Sequence, residues 1–295
     1  MSGYIRHRSG LLVPNPGRGF VNNGKGNGRG SGSGGGVVID PNAASLYSAF
    51  LGTGAWWDFE ESGASTLRYD DATGNANHLT TNAFASSNTT ASGKVGRAFA
   101  PLSDNYAFIP RSNTALDLPN TDWTFGGWYR GTGTAGSTSY LMGRADLSTN
   151  KGQGILAISS GNGAYLFECS SDGTNYTVAN SGVNAVTGTI YLIACTFDRA
   201  NNLIRIRVKG PATNVNITAA FASALFTGAS TANFTVNQLL VNDITLASGA
   251  RGVINSPIYD SNFFIKKAIT DAELTYLYNN GNGVNYTTLR TQAGY

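Results

Sequence analysis

The side chains of this chain best suited to chemistry are its carboxylates, and they are few. Glutamate occurs four times, at Glu60, Glu61, Glu168 and Glu273, and histidine only at His7 and His78. General acid-base work needs two titrating groups held at a fixed separation, so two histidines make an imidazole-based catalytic or zinc site a poor expectation. The densest polar run is Asp70-Asp71-Ala72-Thr73-Gly74-Asn75-Ala76-Asn77-His78, which follows Trp57-Asp58-Phe59-Glu60-Glu61 and precedes Gly93-Lys94-Val95-Gly96. Taken alone it reads as a loop between strands, because Asx and Gly residues accept left-handed backbone and bond to their own turns. Asp58-Phe59-Glu60 reads as the polar rim of a first strand. Cys169 and Cys195 are too few for a disulfide framework; buried free thiols are expected, and pairing is open only if their strands are neighbours.

The elements that must position these groups follow from composition and periodicity. A hydrophobic fraction of 41% supports a real core, and a charged fraction of 13% is low beside the usual quarter, with Gly, Asn, Thr and Ser in place of Lys and Glu. That balance favours β structure over helix. Short apolar or alternating runs separated by turn residues read as strands at Tyr106 to Ile109, Phe125 to Arg130, Tyr140 to Gly143, Ile155 to Ser159, Ala164 to Cys169, Tyr191 to Asp198, Leu203 to Lys209 and Gln238 to Val241. In Leu203-Ile204-Arg205-Ile206-Arg207-Val208-Lys209 the basic residues alternate with aliphatics, which predicts a strand wet on one face. Tyr191 to Phe197 is apolar throughout and predicts a central strand covered on both faces. Many such strands make a sandwich.

Two helices are marked by their caps. Asp40 before Pro41 starts one that runs to about Phe50. Thr270-Asp271-Ala272-Glu273 has the spacing of a capping box, with Leu274, Leu277 and Tyr278 following at helical intervals and Gly281 as the stop. The apolar side of this second helix is expected to dock on the sandwich, since a helix this short is marginal alone.

The first 36 residues differ in kind. They hold Arg6, Arg8, Arg18, Lys25 and Arg29, twelve glycines and no acid. With +5 there and +3 overall, the remaining residues carry −2, so the basic character belongs to this arm. It cannot bury a core of its own, and it reads either as a flexible linker or as an anchor supported by a neighbouring subunit. Five charges without interleaved aromatics are a weak nucleic-acid signal. No stretch approaches a membrane span, and the amino terminus lacks the apolar core of a signal peptide, so a soluble, unsecreted product is expected. The organisation expected is a basic Gly-rich arm and linker over residues 1–45 and one β domain over 46–295.

The segments Trp57-Asp58-Phe59-Glu60-Glu61, Asp71 to His78, Gly93-Lys94-Val95-Gly96-Arg97-Ala98-Phe99, Tyr106 to Pro110 and Trp123-Thr124-Phe125-Gly126-Gly127-Trp128-Tyr129 resemble successive blocks of a laminin-G-like, concanavalin-A-like jelly-roll domain. Ala194-Cys195-Thr196-Phe197-Asp198 is similar to the family's central strand, and Asp260 through Lys267 to Leu274 to its last strand and terminal helix. The resemblance spans roughly residues 46 to 284. Two positions depart from it: the tryptophan that usually opens the central strand is Ile190-Tyr191, and the acid that usually follows the position of Asp260 is Ser261.

The resemblance implies an all-β fold, a two-sheet antiparallel jelly-roll sandwich with an extended amino-terminal arm and a short carboxy-terminal helix. It also implies a calcium site at Glu60, Asn75, Asn77 and Asp260; turn-capping and strand-end hydrogen bonds are the other reading of those four residues. Related jelly rolls include glycoside hydrolases, but no Glu-x-Asp-x-Glu run is present, so no enzymatic activity is expected. The family often binds glycans; of Trp56, Trp57, Trp123 and Trp128, the second and fourth fall in core-strand blocks where burial is expected. A basic arm before a low-charge sandwich points to a virion protein, such as a bacteriophage capsid decoration, head-fibre or tail component assembled in the host cytoplasm. Its expected partners are other virion subunits, further copies of itself and host surface glycans. A free carbohydrate-binding or adhesive module of a cellular protein is the competing reading.

Overall fold

Asp40 starts the first helix as its type and place require. Its Oδ1 accepts the backbone N–H groups of Asn42 at 2.8 Å and Ala43 at 3.2 Å, and Pro41 occupies the first turn of α1 (Pro41–Phe50). Ala43, Leu46, Tyr47 and Phe50, at helical spacing, form its buried side. The structure, a computed structural model, describes residues 4–6, 12–14, 38–61, 67–81, 89–90, 93–101, 106–110, 112–132, 138–146, 151–172, 175–225, 234–236 and 255–295. The chain divides into two units, Met1–Gly36 and Val37–Tyr295, and α1 belongs to the second.

In the first unit, β1 (Tyr4–Arg6) pairs antiparallel with β2 (Leu12–Pro14). Arg8, Arg18, Lys25 and Arg29 of the arm lie outside the described residues, as does the strand expected at Gln238 to Val241.

The second unit is a sandwich of two antiparallel sheets. Its strands are β3 (Ala55–Trp57), β4 (Arg68–Tyr69), β5 (Leu79–Thr81), β6 (Thr89–Thr90), β7 (Ala98–Phe99), β8 (Ala107–Ile109), β9 (Trp123–Thr132), β10 (Ser139–Asp146), β11 (Lys151–Ile158), β12 (Ala164–Ser170), β13 (Tyr176–Asn184), β14 (Tyr191–Asp198), β15 (Leu203–Gly210), β16 (Thr213–Ala220), β17 (Phe234–Val236) and β18 (Asn255–Ile265). One sheet runs β13-β12-β11-β10-β17-β8-β5-β4 and the other β16-β15-β14-β9-β18-β7-β6, with β3 also paired to β18. Helices α2 (Asp271–Tyr278) and α3 (Tyr286–Gln292) follow the last strand.

Alternation along β14 explains its apolar sequence. Tyr191, Ile193, Cys195 and Phe197 enter the core between the sheets, while Leu192 and Ala194 point the other way. There they meet a second core in which α1, α2 and α3 cover the outer face of the same sheet, with Leu46, Phe50, Trp56, Trp128, Phe263, Leu274, Leu277 and Leu289. The strand is therefore covered on both faces, as its composition predicts. Both cysteines are buried free thiols.

The expectation of a fully wet face on β15 is corrected by the same helix layer. Arg207 is buried: its guanidinium donates to Asp271 Oδ1 at 2.9 Å, to Thr196 Oγ1 at 3.1 Å and to the carbonyl of Ile269 at 2.8 Å. The start of α2 lies over this part of the sheet, and a planar donor fork satisfies three acceptors there. The capping box of α2 is present, with Thr270 Oγ1 accepting from the Glu273 N–H and Glu273 Oε2 from the Thr270 N–H. The helix ends earlier than Gly281, at Asn279, whose left-handed φ of 45° breaks it.

Candidate functional site

Antiparallel pairing of β3 with β18 sets Trp57 opposite Asn262, so the next residues outward, Asp58 and Ser261, meet beyond the paired stretch. Both strands are irregular at this point. Phe59 (φ 57°) and Ser261 (φ 45°) hold left-handed backbone, and β18 shifts register against β9 between Asp260 and Phe263. Such non-glycine conformations cost about 1 kcal/mol or more each and persist where surrounding bonds fix them. Here those bonds are to carboxylates. Asp58 Oδ1 accepts the Trp56 indole N–H at 2.6 Å, and the Ser261 hydroxyl lies 3.4 Å from Asp58 Oδ1 and 3.3 Å from Asp260 Oδ1.

Asp260 stands opposite Trp128 on β9 and is fully buried. Its Oδ2 accepts the backbone N–H groups of Lys94 at 2.5 Å and Val95 at 2.6 Å. Glu60 holds the other side of the same turn, its Oε1 accepting from the Arg97 N–H at 3.0 Å. Burial pushes the Asp58 carboxyl up to about 6, with the charge of Glu60 adding to it. Burial likewise pushes Asp260 up to about 7, against the pull of the Val95 and Lys94 amides and with the charge of Asp58 adding to the rise. Asp260 fastens the 93–97 turn to the last strand, and Glu60 holds its other side. With Asp260 sealed from solvent, it offers no face to a substrate.

Asn75 and Asn77 have a different task. Asn75 Nδ2 donates to the carbonyls of Phe50 at 2.7 Å and Gly54 at 2.9 Å, and its Oδ1 accepts from the Gly52 N–H. Asn77 Nδ2 also donates to Gly54, at 3.1 Å, and its Oδ1 accepts from Asn113. Asp71 completes the clasp, accepting the N–H groups of Trp56, Thr73 and Asn77. Of the four residues expected to bind calcium, Glu60 and Asp260 thus share one turn, and Asn75 and Asn77 share the Gly54 carbonyl. Among the described residues no hydrogen bond joins the two pairs, and no three or more His, Cys, Asp or Glu side chains are grouped to hold a metal ion. Calcium takes six to eight oxygens. Side-chain oxygens of all four residues accept bonds from N–H or O–H donors.

The turn fixed by Asp260 borders a groove of about 570 Å³, lined by Lys94, Trp128, Thr189, Tyr278, Asn280 and Asn282 among others. Trp128 is its floor: the ring stacks on Tyr278 with centroids 5.6 Å apart, and Lys94 Nζ lies 5.5 Å above it. Gly283 lets the chain pass close beneath, since a Cβ there would stand 2.3 Å from Val95 Cγ2 and 3.1 Å from Trp128 Nε1. The side chains of Thr189, Asn280 and Asn282 form no hydrogen bond with the described residues. One lysine and unengaged amide and hydroxyl groups together suit a polyhydroxylated ligand. The four tryptophans are all buried, so no indole face stands free as a stacking platform.

No protein-family profile matches this sequence, and no curated protein matches it. Solved structures do share the fold. Domain 4 of an extracellular arabinanase from Geobacillus stearothermophilus, in complex with arabinotriose, superposes with a TM-score of 0.52 at 17% identity, over 75% of this chain and 96% of that one. The binding domain of botulinum neurotoxin DC, in complex with rat synaptotagmin II, gives 0.52 at 11% identity over 76% of this chain and 50% of its own. Trypanosoma rangeli sialidase in complex with sialic acid gives 0.50 at 11% identity over 78% of this chain. This chain spans half of the toxin domain and 33% of the sialidase. At these identities the likeness is one of fold, a β-sandwich that also occurs in carbohydrate- and receptor-binding domains.

Sequence reasoning identified Glu60 and Asp260 but missed Asp58 as the partner of Asp260. It also missed the groove, whose walls come from the 93–97 turn, β9, the segment before β14 and the end of α2. Trp128 beside a lysine-bearing Gly-Lys-Val-Gly turn was the nearest available signal.

Proposed function

We propose that this chain is a virion structural protein, a capsid decoration, head-fibre or tail component, whose jelly roll displays a glycan-binding groove while its basic arm joins it to other virion subunits. The groove beside Trp128 carries the glycan part, because Lys94, the Thr189 hydroxyl and the Asn280 and Asn282 amides line it and can bond sugar hydroxyls. Two fold neighbours, solved in complex with arabinotriose and with sialic acid, support the same ligand class. The arm supports the placement: five basic residues and twelve glycines without an acid form a segment suited to lying across other subunits.

A glycan array probed with the full chain, with and without calcium, tests the first part. Binding that is lost in Lys94→Ala supports it, and no binding to any saccharide sinks it. Particle incorporation of a chain lacking residues 1–36 tests the second. Unchanged incorporation removes the anchoring role, and strong glycan binding with no incorporation of the full chain favours the free adhesive module.

A further inference from the structure

The two sheets end differently at their two sides. On one side the last strands, β4 and β6, are two residues long. On the other the sheets end on β13 and β16, nine and eight residues long, which lie against each other across the sandwich. Beyond β16 no further strand is paired among the described residues. An edge of this length presents a row of backbone donors and acceptors, and proteins blunt such edges with lysines, prolines or bulges. Neither Tyr176-Thr177-Val178-Ala179-Asn180-Ser181-Gly182-Val183-Asn184 nor Thr213-Asn214-Val215-Asn216-Ile217-Thr218-Ala219-Ala220 holds a charge or a proline. The pairing of β15 with β16 runs from Leu203 opposite Ala220 to Gly210 opposite Thr213 without a bulge. On this side Ile217, Val178 and Val186 are 38%, 41% and 49% exposed.

We propose that β16 pairs with β16 of a second copy of this chain, antiparallel about a two-fold axis at Asn216, so that the two copies share one continuous sheet. The strand's own alternation selects this occupant. Asn214, Asn216 and Thr218 share the face of Lys209, Arg207 and Arg205, while Val215, Ile217 and Ala219 share that of Val208, Ile206 and Ile204. In the register centred on Asn216, Val215 meets Ile217 of the second copy, Asn214 meets its Thr218, and the central amides face each other. Like meets like on both faces, as a self-complementary two-fold contact requires. Of the basic row on β15, Arg207 is paired with Asp271 and Arg205 lies 3.6 Å from Asp198, while Lys209 stands opposite Asn214, one strand in from the edge.

Sedimentation equilibrium of the full chain tests this, with the variants Asn214→Glu/Thr218→Glu and Asn214→Lys/Thr218→Lys. In the first, each new carboxylate faces Lys209 or Arg205 within its own sheet, so the fold is retained, while across the axis two like-charged pairs are created. The natural chain is expected to dimerise, each variant to associate at least about tenfold more weakly, and an equimolar mixture of the two to dimerise again as opposite charges meet. A natural chain that stays monomeric at about 100 µM, where a dimer of Kd near about 1 µM would be nearly complete, overturns the proposal, as does an oligomer that persists in the Glu variant or a mixture that does not associate.

Discussion

The carboxylate of Asp260 accepts the backbone N–H of Val95 at 2.6 Å, joining positions 165 residues apart. That bond, with its neighbour to Lys94, makes the last long strand the anchor for the turn that walls the groove. Asp260→Asn can keep an oxygen toward the Lys94 and Val95 amides but removes the charge that strengthens those bonds and the acceptor that faces the Ser261 hydroxyl. It is expected to destabilise the chain by about 1–3 kcal/mol in urea titration at pH 7.5, and to weaken saccharide binding through Lys94.

Asp58 and Asp260 also set a pH dependence with a definite sign. Both carboxyls are raised from an ordinary value near 3.8, to about 6 and about 7, so between these limits the folded chain holds more protons than the unfolded one. Their contribution to stability is full below about pH 4 and is lost as pH rises through 6 and 7. Glu273 works the other way: bonds from Lys267 and Thr270 outweigh its burial and lower its pKa, so its contribution is lost on acidification through its folded pKa. Urea midpoints should therefore fall between pH 5 and pH 8, and the fall should be shallower in Asp260→Asn. A midpoint that rises steadily over this range contradicts the assignment.

Calcium addresses the same residues. A cation at Asp260 and Glu60 has to displace the amides of Lys94, Val95 and Arg97, and Asn75 and Asn77 already bond the Gly54 carbonyl. The melting temperature is expected to be the same in chelator and in millimolar calcium. A rise of several degrees with calcium would mean that the 93–97 turn is rebuilt around the ion.

Arg207 and Asp271 form one ion pair with unequal surroundings, since the arginine is 2% exposed and the aspartate 67%. Arg207→Ala removes bonds to Thr196 and the Ile269 carbonyl as well, and is expected to cost about 2–3 kcal/mol. Asp271→Ala leaves those bonds in place and loses a solvent-screened partner together with a long, exposed bond from the Asn216 amide, so at most about 1 kcal/mol is expected. Equal costs in denaturant titration would show that the pair, and not the buried fork, is what matters.

The parts legible in the sequence are those whose signal is local. Asp40-Pro41 and Thr270 to Glu273 carry their caps within four residues, and Tyr191 to Phe197 records two-sided burial in its own composition. Arg207 was misread because alternation reports which side of a strand a residue takes, not what later covers it; its lid comes from α2, 64 residues on. Asp58 and Ser261, 203 residues apart, meet only through the register of β3 on β18, which no local pattern encodes. The third helix had a cap in Asn285, whose Oδ1 accepts the Thr288 N–H, but its seven residues carry too few apolar repeats to stand out.

The floor of the groove rests on how closely the backbone passes Trp128, and two glycines separate that effect from simple strain. Gly281 (φ 84°) and Gly283 (φ 77°) are both left-handed, so alanine at either costs about 1 kcal/mol through its backbone. At Gly281 the added methyl meets nothing nearer than the Tyr278 hydroxyl at 3.3 Å, and the backbone cost is all that is expected. At Gly283 it would lie 2.3 Å from Val95 Cγ2 and 3.1 Å from Trp128 Nε1, which forces the turn and the indole apart at a further cost of about 1–3 kcal/mol. Gly283→Ala should therefore be clearly less stable than Gly281→Ala, and its tryptophan emission should shift as Trp128 leaves its stack on Tyr278. Saccharide affinity should fall in the same order. Equal stability of the two variants would show that the passage under Trp128 is looser than its contacts require.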